Sequence, residues 1–386
     1  MNTMRIGILI PAYQPDERMV TFVRACVDEG FEVTVINDGS TEGLDCFEEA
    51  ASFPGVTVEG YADNCGKGHA LKTGLAAMRR RGYTGVITAD ADGQHSVADI
   101  QKVAAALEAR PDTLILGSRD TEKMPPKSRT GNRMTRRLFG LLYGIRLSDT
   151  QTGLRGIPLT GTAADGLLSL PGERYEYEME MLRESTKLFP GGILEVPIET
   201  IYFENNSGTH FRPLRDGGRI YAVLLKSLPV FLLSSLAAFG VDYGFFNTFF
   251  YALSLGTIAS TVLARLISAT VNYTVNKYGV FRADSGKTRY NLKNYALLAA
   301  AILAVNSALM YFFVNILGLP AFVMKILVES GLYIISFTVQ QRLAAGKGGQ
   351  KQAASVKSGN KPAHTENALP LEKRKDNHGL MFKIFN

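Results

Sequence analysis

Val86-Ile87-Thr88-Ala89-Asp90-Ala91-Asp92-Gly93-Gln94-His95 joins a short β-branched run to two carboxylates one residue apart. Val86 to Thr88 predicts a buried strand, and the glycine and amide after Asp92 predict its end. In extended backbone, residues i and i+2 point to the same side, so Asp90 and Asp92 can converge on one ligand. Two close carboxylates repel each other and call for a cation between them. A hard divalent ion with oxygen ligands, itself bridging phosphate oxygens, fits that need. A plain surface turn is the competing reading, because Asp, Gly and Gln are ordinary turn residues and D-x-D is a short pattern.

Around this segment strand and helix alternate. Arg5 to Ile10 predicts a strand closed by the loop Pro11-Ala12-Tyr13-Gln14-Pro15, and a helix from about Glu17 to Glu29 stops at Gly30. Phe31 to Ile36 predicts the next strand, with Asn37-Asp38-Gly39-Ser40-Thr41 at its end. Further strands are predicted at Val56–Glu59 and Thr113–Leu116, and helices near Gly68 and over Asp99–Ala109. That order predicts an α/β domain with a mostly parallel sheet and helices on both faces, whose ligands bind outside the strand C-ends. Asp38 and the Asp90/Asp92 pair both sit at such ends. Between them, Gly66-Lys67-Gly68 before a helix offers backbone amides and one cation to a phosphate, or is only a flexible helix start.

The chain has 386 residues, enough for two or three domains, and its composition is uneven. Up to about residue 225 charged and apolar residues mix as in a soluble protein; from about Leu228 to Phe337 apolar runs dominate. The net charge of +6 comes largely from Lys and Arg beside those runs and in the tail, a placement that suits an anionic membrane surface better than nucleic acid. The three cysteines have no metal-ligand spacing and read as reduced cytosolic thiols, and the N-terminus has no apolar run of a cleaved signal.

Together, Ile10-Pro11-Ala12-Tyr13, Ile36-Asn37-Asp38-Gly39-Ser40, Asn64-x-Gly66-Lys67-Gly68-x-Ala70, Asp90-Ala91-Asp92-Gly93-Gln94 and Gly117-Ser118-Arg119 resemble the family-2 glycosyltransferases of the GT-A, or nucleotide-diphospho-sugar transferase, fold. Asp149-Thr150-Gln151-Thr152-Gly153-Leu154-Arg155 and the acidic helix Tyr175–Glu180 resemble its dolichol-phosphate mannose synthase and polyprenyl-phosphate glycosyltransferase branch. Asn37 departs from the pattern, which often has an acid there. The resemblance implies that Pro11, Tyr13 and Asp38 line the nucleoside pocket, with Asp38 accepting from the base, and that Lys67 serves the nucleotide sugar. It implies Mg²⁺ or Mn²⁺ on Asp90, Asp92 and Gln94. Asp92, Arg119 and Arg155 would be catalytic, and Arg119, Arg133, Arg155 and Arg212 would meet a lipid phosphate. Such an acceptor needs no general base, since a phosphate monoester with a second pKa of about 6 is already an anion near neutral pH. His69, His95 and His210 are therefore not expected to be catalytic.

Ser128 to Tyr143 is basic and then apolar. It predicts either an interfacial helix with Leu138, Phe139, Leu141 and Leu142 below the headgroups, or a core helix with a solvated basic end. Asn205 to Asp216 predicts a loop over donor and acceptor. Apolar stretches near 228–252, 256–276, 295–317 and 320–340 each approach the ~20 residues that cross a bilayer core. Among their charges, Asp242 and Arg265 are candidates to pair, with Lys325 and Glu329 in the last stretch. Lys277, Arg282, Lys287, Arg289 and Lys293 between the second and third stretches, with Arg342, Lys347 and Lys351 after the fourth, place the catalytic domain and both termini in the cytoplasm of a multi-pass inner-membrane protein. Arg265 to Phe281 resembles the GtrA-like four-helix membrane domain, which implies either a role with lipid-linked sugars or passive anchoring.

The expected architecture is thus a GT-A domain over residues 1–225, a four-helix transmembrane domain over 226–342 and a disordered basic tail over 343–386. The expected activity is metal-dependent, inverting transfer of a hexose, from a donor of the UDP-glucose or GDP-mannose class, to polyprenyl (undecaprenyl) phosphate. Anionic lipids are partners, nucleic acid is not, and homo-oligomerisation is left open. A processive polysaccharide synthase is the enzymatic rival; the chain has no Trp and so no Gln-x-x-Arg-Trp motif. A lipid-sugar transporter with a nucleotide-binding domain is the rival from another class.

Overall fold

The computed structural model describes residues 4–202, 213–283 and 288–345. Expected positions Asn205 to Arg212, including His210 and Arg212, lie outside the described residues, as do the side chain of Lys325 and the tail after Ala345.

Seven strands form one sheet: β1 (Ile6–Ala12), β2 (Val33–Asp38), β3 (Val56–Tyr61), β4 (Gly85–Thr88), β5 (Leu114–Ser118), β6 (Arg155–Pro158) and β7 (Ile193–Pro197), in the order β3-β2-β1-β4-β6-β5-β7. The β1, β2, β3 and β4 pairings are parallel, as is β5 with β7; β6 runs antiparallel between β4 and β5. The sheet is therefore mixed, and the alternating pattern of the first half does not reveal the inserted strand.

Period-2 alternation divides the sheet's side chains between two cores. Ile8, Ile10, Val35, Ile87 and Ile115 face α1 (Glu17–Asp28), α2 (Leu44–Ala51) and α4 (Val97–Ala109). Leu9, Ile36, Val86, Leu116 and Ile157 face α3 (Lys67–Arg80), α5 (Pro126–Tyr143), α6 (Gly161–Leu168) and α7 (Glu176–Leu188). The second core continues without a break into the C-terminal part through α8 (Pro213–Leu224) to Phe231, Phe281 and Phe337.

The Ser128–Tyr143 stretch belongs to α5, and burial separates its two readings. Phe139 and Leu142 are core residues and Leu138 packs against the core, so they do not enter headgroups; Leu141 and Met134 are exposed, as is Arg133. The C-terminal end of α5 is held from outside: Arg342 donates to the carbonyls of Leu141 at 2.5 Å and Gly140 at 3.2 Å, where a cation complements the helix dipole. Tyr143 donates its hydroxyl to the Leu224 carbonyl at 3.2 Å.

After α8 come α9 (Ser227–Asn247), α10 (Thr257–Thr274), α11 (Leu292–Met310) and α12 (Ala321–Ala344), the first three continued by wider π-type turns to Ala252, Val280 and Ile316. Ser227–Ala252 and Leu292–Ile316 are long and apolar enough to cross a membrane. Large apolar side chains such as Leu233, Phe239, Leu266, Leu297 and Leu303 lie exposed on these helices. Polar groups pair across these helices. Asp242 pairs with Arg265 at 3.4 Å and accepts from Ser268 at 2.9 Å, and Asn306 donates to Glu329 at 2.9 Å.

Asn276 is the hub of the inner polar cluster. It accepts from Ser234 at 2.7 Å and donates to Asn272 at 2.7 Å and Gln340 at 3.1 Å; Gln340 also accepts from Tyr290 at 2.6 Å. Three helix segments distant in sequence are thereby tied together. Asn276→Leu is expected to lower stability by about 1–2 kcal/mol, read as an earlier thermal unfolding midpoint in detergent, because Ser234 and Gln340 lose a buried partner.

Candidate active site

The C-ends of β1, β2, β4 and β5 open onto one crevice, and β4 delivers Asp90 to its centre. Asp90 Oδ1 lies 2.6 Å from Lys67 Nζ, and the same ammonium lies 3.0 Å from Glu178 Oε2 on α7. Arg155 continues the row at 3.6 Å from Glu178 Oε1. Thr88 donates to the Gly153 carbonyl at 2.7 Å, which pins the Asp149–Arg155 loop to the end of β4. A Cβ at Gly153 would overlap the Asp90 carboxylate, so this close approach requires glycine.

Electrostatics separates the two carboxylates. Burial acts to raise Asp90, but the Lys67 charge and then His95 outweigh it and hold Asp90 well below the usual carboxylate range. Asp92 is pushed up, first by burial and then by the Asp90 charge. Asp92 Oδ1 accepts the Gln94 amide at 3.0 Å, a turn that fixes it beside Asp90. His95 is buried, with Nε2 3.6 Å from Asp90 Oδ2, and neither ring nitrogen has a hydrogen-bond partner among the described residues. Among the described residues no three His, Cys, Asp or Glu side chains form a ready-made metal cage. Two neighbouring carboxylates, one pushed up by the other's charge, do form an oxygen donor set of the kind hard divalent ions take, and a diphosphate would complete it. Asp90 and Asp92 thus fit Mg²⁺ or Mn²⁺.

Arg119 follows β5. Its Nε lies 2.7 Å from Asp149 Oδ2 and its Nη1 3.4 Å from the Tyr202 hydroxyl. Burial works against its charge, and Asp149 more than offsets this, leaving Arg119 above its ordinary value. Asn132 of α5 donates to Asp149 at 3.1 Å. Asp149 therefore fixes Arg119 from behind, at a place where the Asp90 charge also reaches it.

The contacts of Asp38, Lys67 and Arg155 bear on the roles expected of them. Asp38 is held by the protein itself: its carboxylate is buried and accepts from Tyr61 at 2.8 Å, Asn64 at 3.1 Å, and the amides of Cys65 and Gly66 at 2.9 Å each. By the same contacts those amides are not free for a phosphate. Lys67 remains in the crevice, but as the partner of Asp90 and Glu178. Arg155 is 1% exposed, donating to the carbonyls of Thr152 at 3.1 Å and Glu178 at 2.8 Å, so the guanidinium is interior scaffold and not a contact for lipid phosphate. Pro11 is buried at the end of β1 and Tyr13 half-buried just beyond it. Glu178 and Asp149 stand inside recognised motifs, yet only the folded contacts reveal what they touch.

Asp38→Ala is expected to cost about 2–4 kcal/mol, because two backbone amides and a half-buried tyrosine hydroxyl lose their acceptor together. Thermal unfolding of wild type and variant in the same detergent measures this, and an unchanged midpoint would show the loop to be held otherwise.

Residues 7–160 match the glycosyl transferase family 2 model, and residues 230–345 match the GtrA/DPMS transmembrane domain. An uncharacterized protein of Methanocaldococcus jannaschii is 31% identical over 211 residues, 53% of this chain and 84% of the relative. The UDP-N-acetylglucosamine–dolichyl-phosphate N-acetylglucosaminyltransferase of Methanococcus voltae is 29% identical, over 52% of this chain and 86% of its own length. The undecaprenyl-phosphate mannosyltransferase of Micrococcus luteus is 27% identical, over 50% of this chain and 83% of its own. With the Asp90/Asp92 crevice at the strand ends and the helical part behind it, these matches place the chain in glycosyl transferase family 2, joined to a GtrA/DPMS transmembrane domain.

Proposed function

We propose that this protein is an inverting glycosyltransferase that moves a hexose from a UDP- or GDP-sugar to polyprenyl phosphate at the cytoplasmic membrane face. The observation that carries the reading is the crevice itself. Asp90 and Asp92 sit at the end of β4 next to Lys67, and the half-buried Arg119 is close enough to feel the Asp90 charge. Relatives that act on dolichyl or undecaprenyl phosphate supply the acceptor class.

Asp90 and Asp92, with Gln94 beside them, would hold Mg²⁺ or Mn²⁺, whose contribution is to neutralise charge on the leaving nucleotide diphosphate. The protein's own groups do the rest. The acceptor phosphate brings its own anionic oxygen, so the site needs orientation more than proton transfer. Arg119, held by Asp149 and Tyr202, presents a fixed guanidinium to phosphate oxygens, and exposed Arg133 on α5 offers a second. His69 pairs with Glu173 at 2.8 Å. Attack by the phosphate oxygen on the anomeric carbon forms the new C–O bond as the bond to the diphosphate breaks, and a single displacement inverts that centre.

In this reading α9 to α12 all cross the bilayer. Asp242–Arg265 and the Asn276 cluster then lie between helices, as intramembrane polar groups do. Lys277 and Arg282 at the exit of α10, Arg289 before α11 and Arg342 at the end of α12 support a cytoplasmic catalytic domain.

The test is transfer from a panel of radiolabelled UDP- and GDP-sugars to undecaprenyl phosphate in detergent, with Mg²⁺, Mn²⁺ or EDTA. A chloroform-soluble product that disappears in EDTA is expected. Folded protein that yields no lipid product from any donor would sink the assignment.

A further inference from the structure

A second cavity, of about 620 Å³, lies where the catalytic domain meets the helical domain. Its catalytic-side wall is the end of α5 at Tyr143 and Ile145 and the last turns of α7 from Arg183 to Leu188. Its other wall is the start of α9, the turn that closes α10 and the end of α12. Those three helix ends share one level, the plane in which the helices would leave a bilayer. The cavity is separate from the crevice. Glu178, near the start of α7, faces Lys67, whereas the cavity takes the opposite end of that helix. Along α5, Tyr143 lies ten residues beyond Arg133, about 15 Å at helical rise.

Charge and polarity in the cavity are unbalanced. Arg183, Lys187, Lys226 and Arg282 line it against a single lining acid, Glu184. Arg183 bonds Glu180 and Glu184 at 2.6 and 2.8 Å, Lys187 bonds Glu184 at 2.8 Å, and Lys226 bonds Glu180 at 3.2 Å. Two carboxylates thus serve three cations, and Arg282 has no ion-pair partner among the described residues. Arg282 also holds a φ of +48°, left-handed backbone that a non-glycine residue adopts only at a cost. Gln341 lines the same cavity, is 7% exposed, and its Oε1 has no hydrogen-bond donor among the described residues. Val230, Val280 and Phe281 give an apolar floor.

We propose that this cavity binds the headgroup of an anionic glycerophospholipid, with the phosphate against Arg282 and Lys226 and a headgroup hydroxyl donating to Gln341 Oε1. Excess cations over an apolar floor suit a phosphate with acyl chains, and an unsatisfied buried acceptor suits a hydroxylated head such as phosphoglycerol. The inference rests on the reading that α9–α12 lie in a bilayer, and it does not depend on the sugar-transfer reading. A bound lipid would bridge the two domains, adding to the Arg342 contact with the end of α5.

The test uses the full chain in nanodiscs of phosphatidylcholine with or without phosphatidylglycerol, reading retained lipid by native mass spectrometry and the thermal unfolding midpoint. Wild type is expected to retain phosphatidylglycerol selectively and to unfold later with it. Arg282→Gly, which relieves the backbone, is expected to weaken retention about fivefold, and Arg282→Lys to keep most of it. Equal retention by Arg282→Gly, or equal stabilisation by phosphatidylcholine, would overturn the site. Equal stabilisation by inorganic phosphate would reassign it to a free anion, and displacement by undecaprenyl phosphate would reassign it to the acceptor. Sugar transfer in the same nanodiscs separates the two readings. Transfer without selective retention sinks only the lipid site, and retention without transfer sinks only the proposed reaction.

Discussion

Asp92→Asn is expected to lower sugar transfer by roughly 10²–10³-fold while leaving the protein folded and slightly more heat-stable in EDTA. The loss follows from the donor set: without the second carboxylate, the site cannot balance the charge that builds on the leaving diphosphate. The gain follows from the sign of the shift. Burial and the Asp90 charge push Asp92 up, so at neutral pH its ionised form is disfavoured in the fold relative to the unfolded chain. Asparagine removes that repulsion, and its side-chain oxygen can still accept the Gln94 amide. Transfer rates with saturating Mg²⁺ or Mn²⁺, beside unfolding midpoints in EDTA, test both halves. A stable, active Asp92→Asn protein would remove this carboxylate from the reaction, and a variant that unfolds much earlier would make its role structural. A transporter that only binds nucleotide would keep lipid-sugar movement in this variant, so the same protein also tests that rival.

The sequence is legible where function depends on neighbours in the chain, and less so where it depends on contacts across it. Asp90 and Asp92 are two residues apart at a strand end, and the β-branched run before them reveals the strand. Asp242 and Arg265 stand out because charges are conspicuous in apolar runs, and they pair at 3.4 Å. Asp38 is less legible for the opposite reason. It sits at a strand C-end, where ligand contacts are expected, but its partners come from residues 61 to 66, and no local pattern shows that they exhaust its carboxylate. Arg155 closes a motif that suggests a phosphate contact, while the fold places it at the start of β6, antiparallel in the middle of the sheet. The apolar half of α5 has the same ambiguity, since Phe139 and Leu142 would suit a bilayer as well as the core that buries them. Asn276 and Gln340 are 64 residues apart, too far for sequence periodicity to pair them.

Lys67→Met is expected to be the most damaging change outside the two aspartates, and the manner of the damage distinguishes a phosphate ligand from a partner of Asp90. Lys67 Nζ bridges Asp90 at 2.6 Å and Glu178 at 3.0 Å, with only 17% of its side chain exposed. Removing it leaves two partly buried carboxylates facing each other, a loss of about 3–5 kcal/mol when a buried pair is broken from one side. Transfer should fall as well, because Asp90 is no longer held. A lysine that only bound donor phosphate would instead raise KM and leave stability untouched. The double variant Lys67→Met/Glu178→Gln should recover part of the lost stability, because one of the stranded charges is gone. The pH dependence has a definite sign. In wild type Asp90 is held below the usual carboxylate range, so its contribution is fully present above the unfolded value of about 3.9 and is lost only as pH falls below it. In the variant, acidification protonates the stranded carboxylates and relieves the strain. The stability gap should therefore be widest at neutral pH and narrow on acidification. A gap that widens toward pH 5, or a double variant no more stable than the single, would show that Lys67 acts on something other than Asp90 and Glu178.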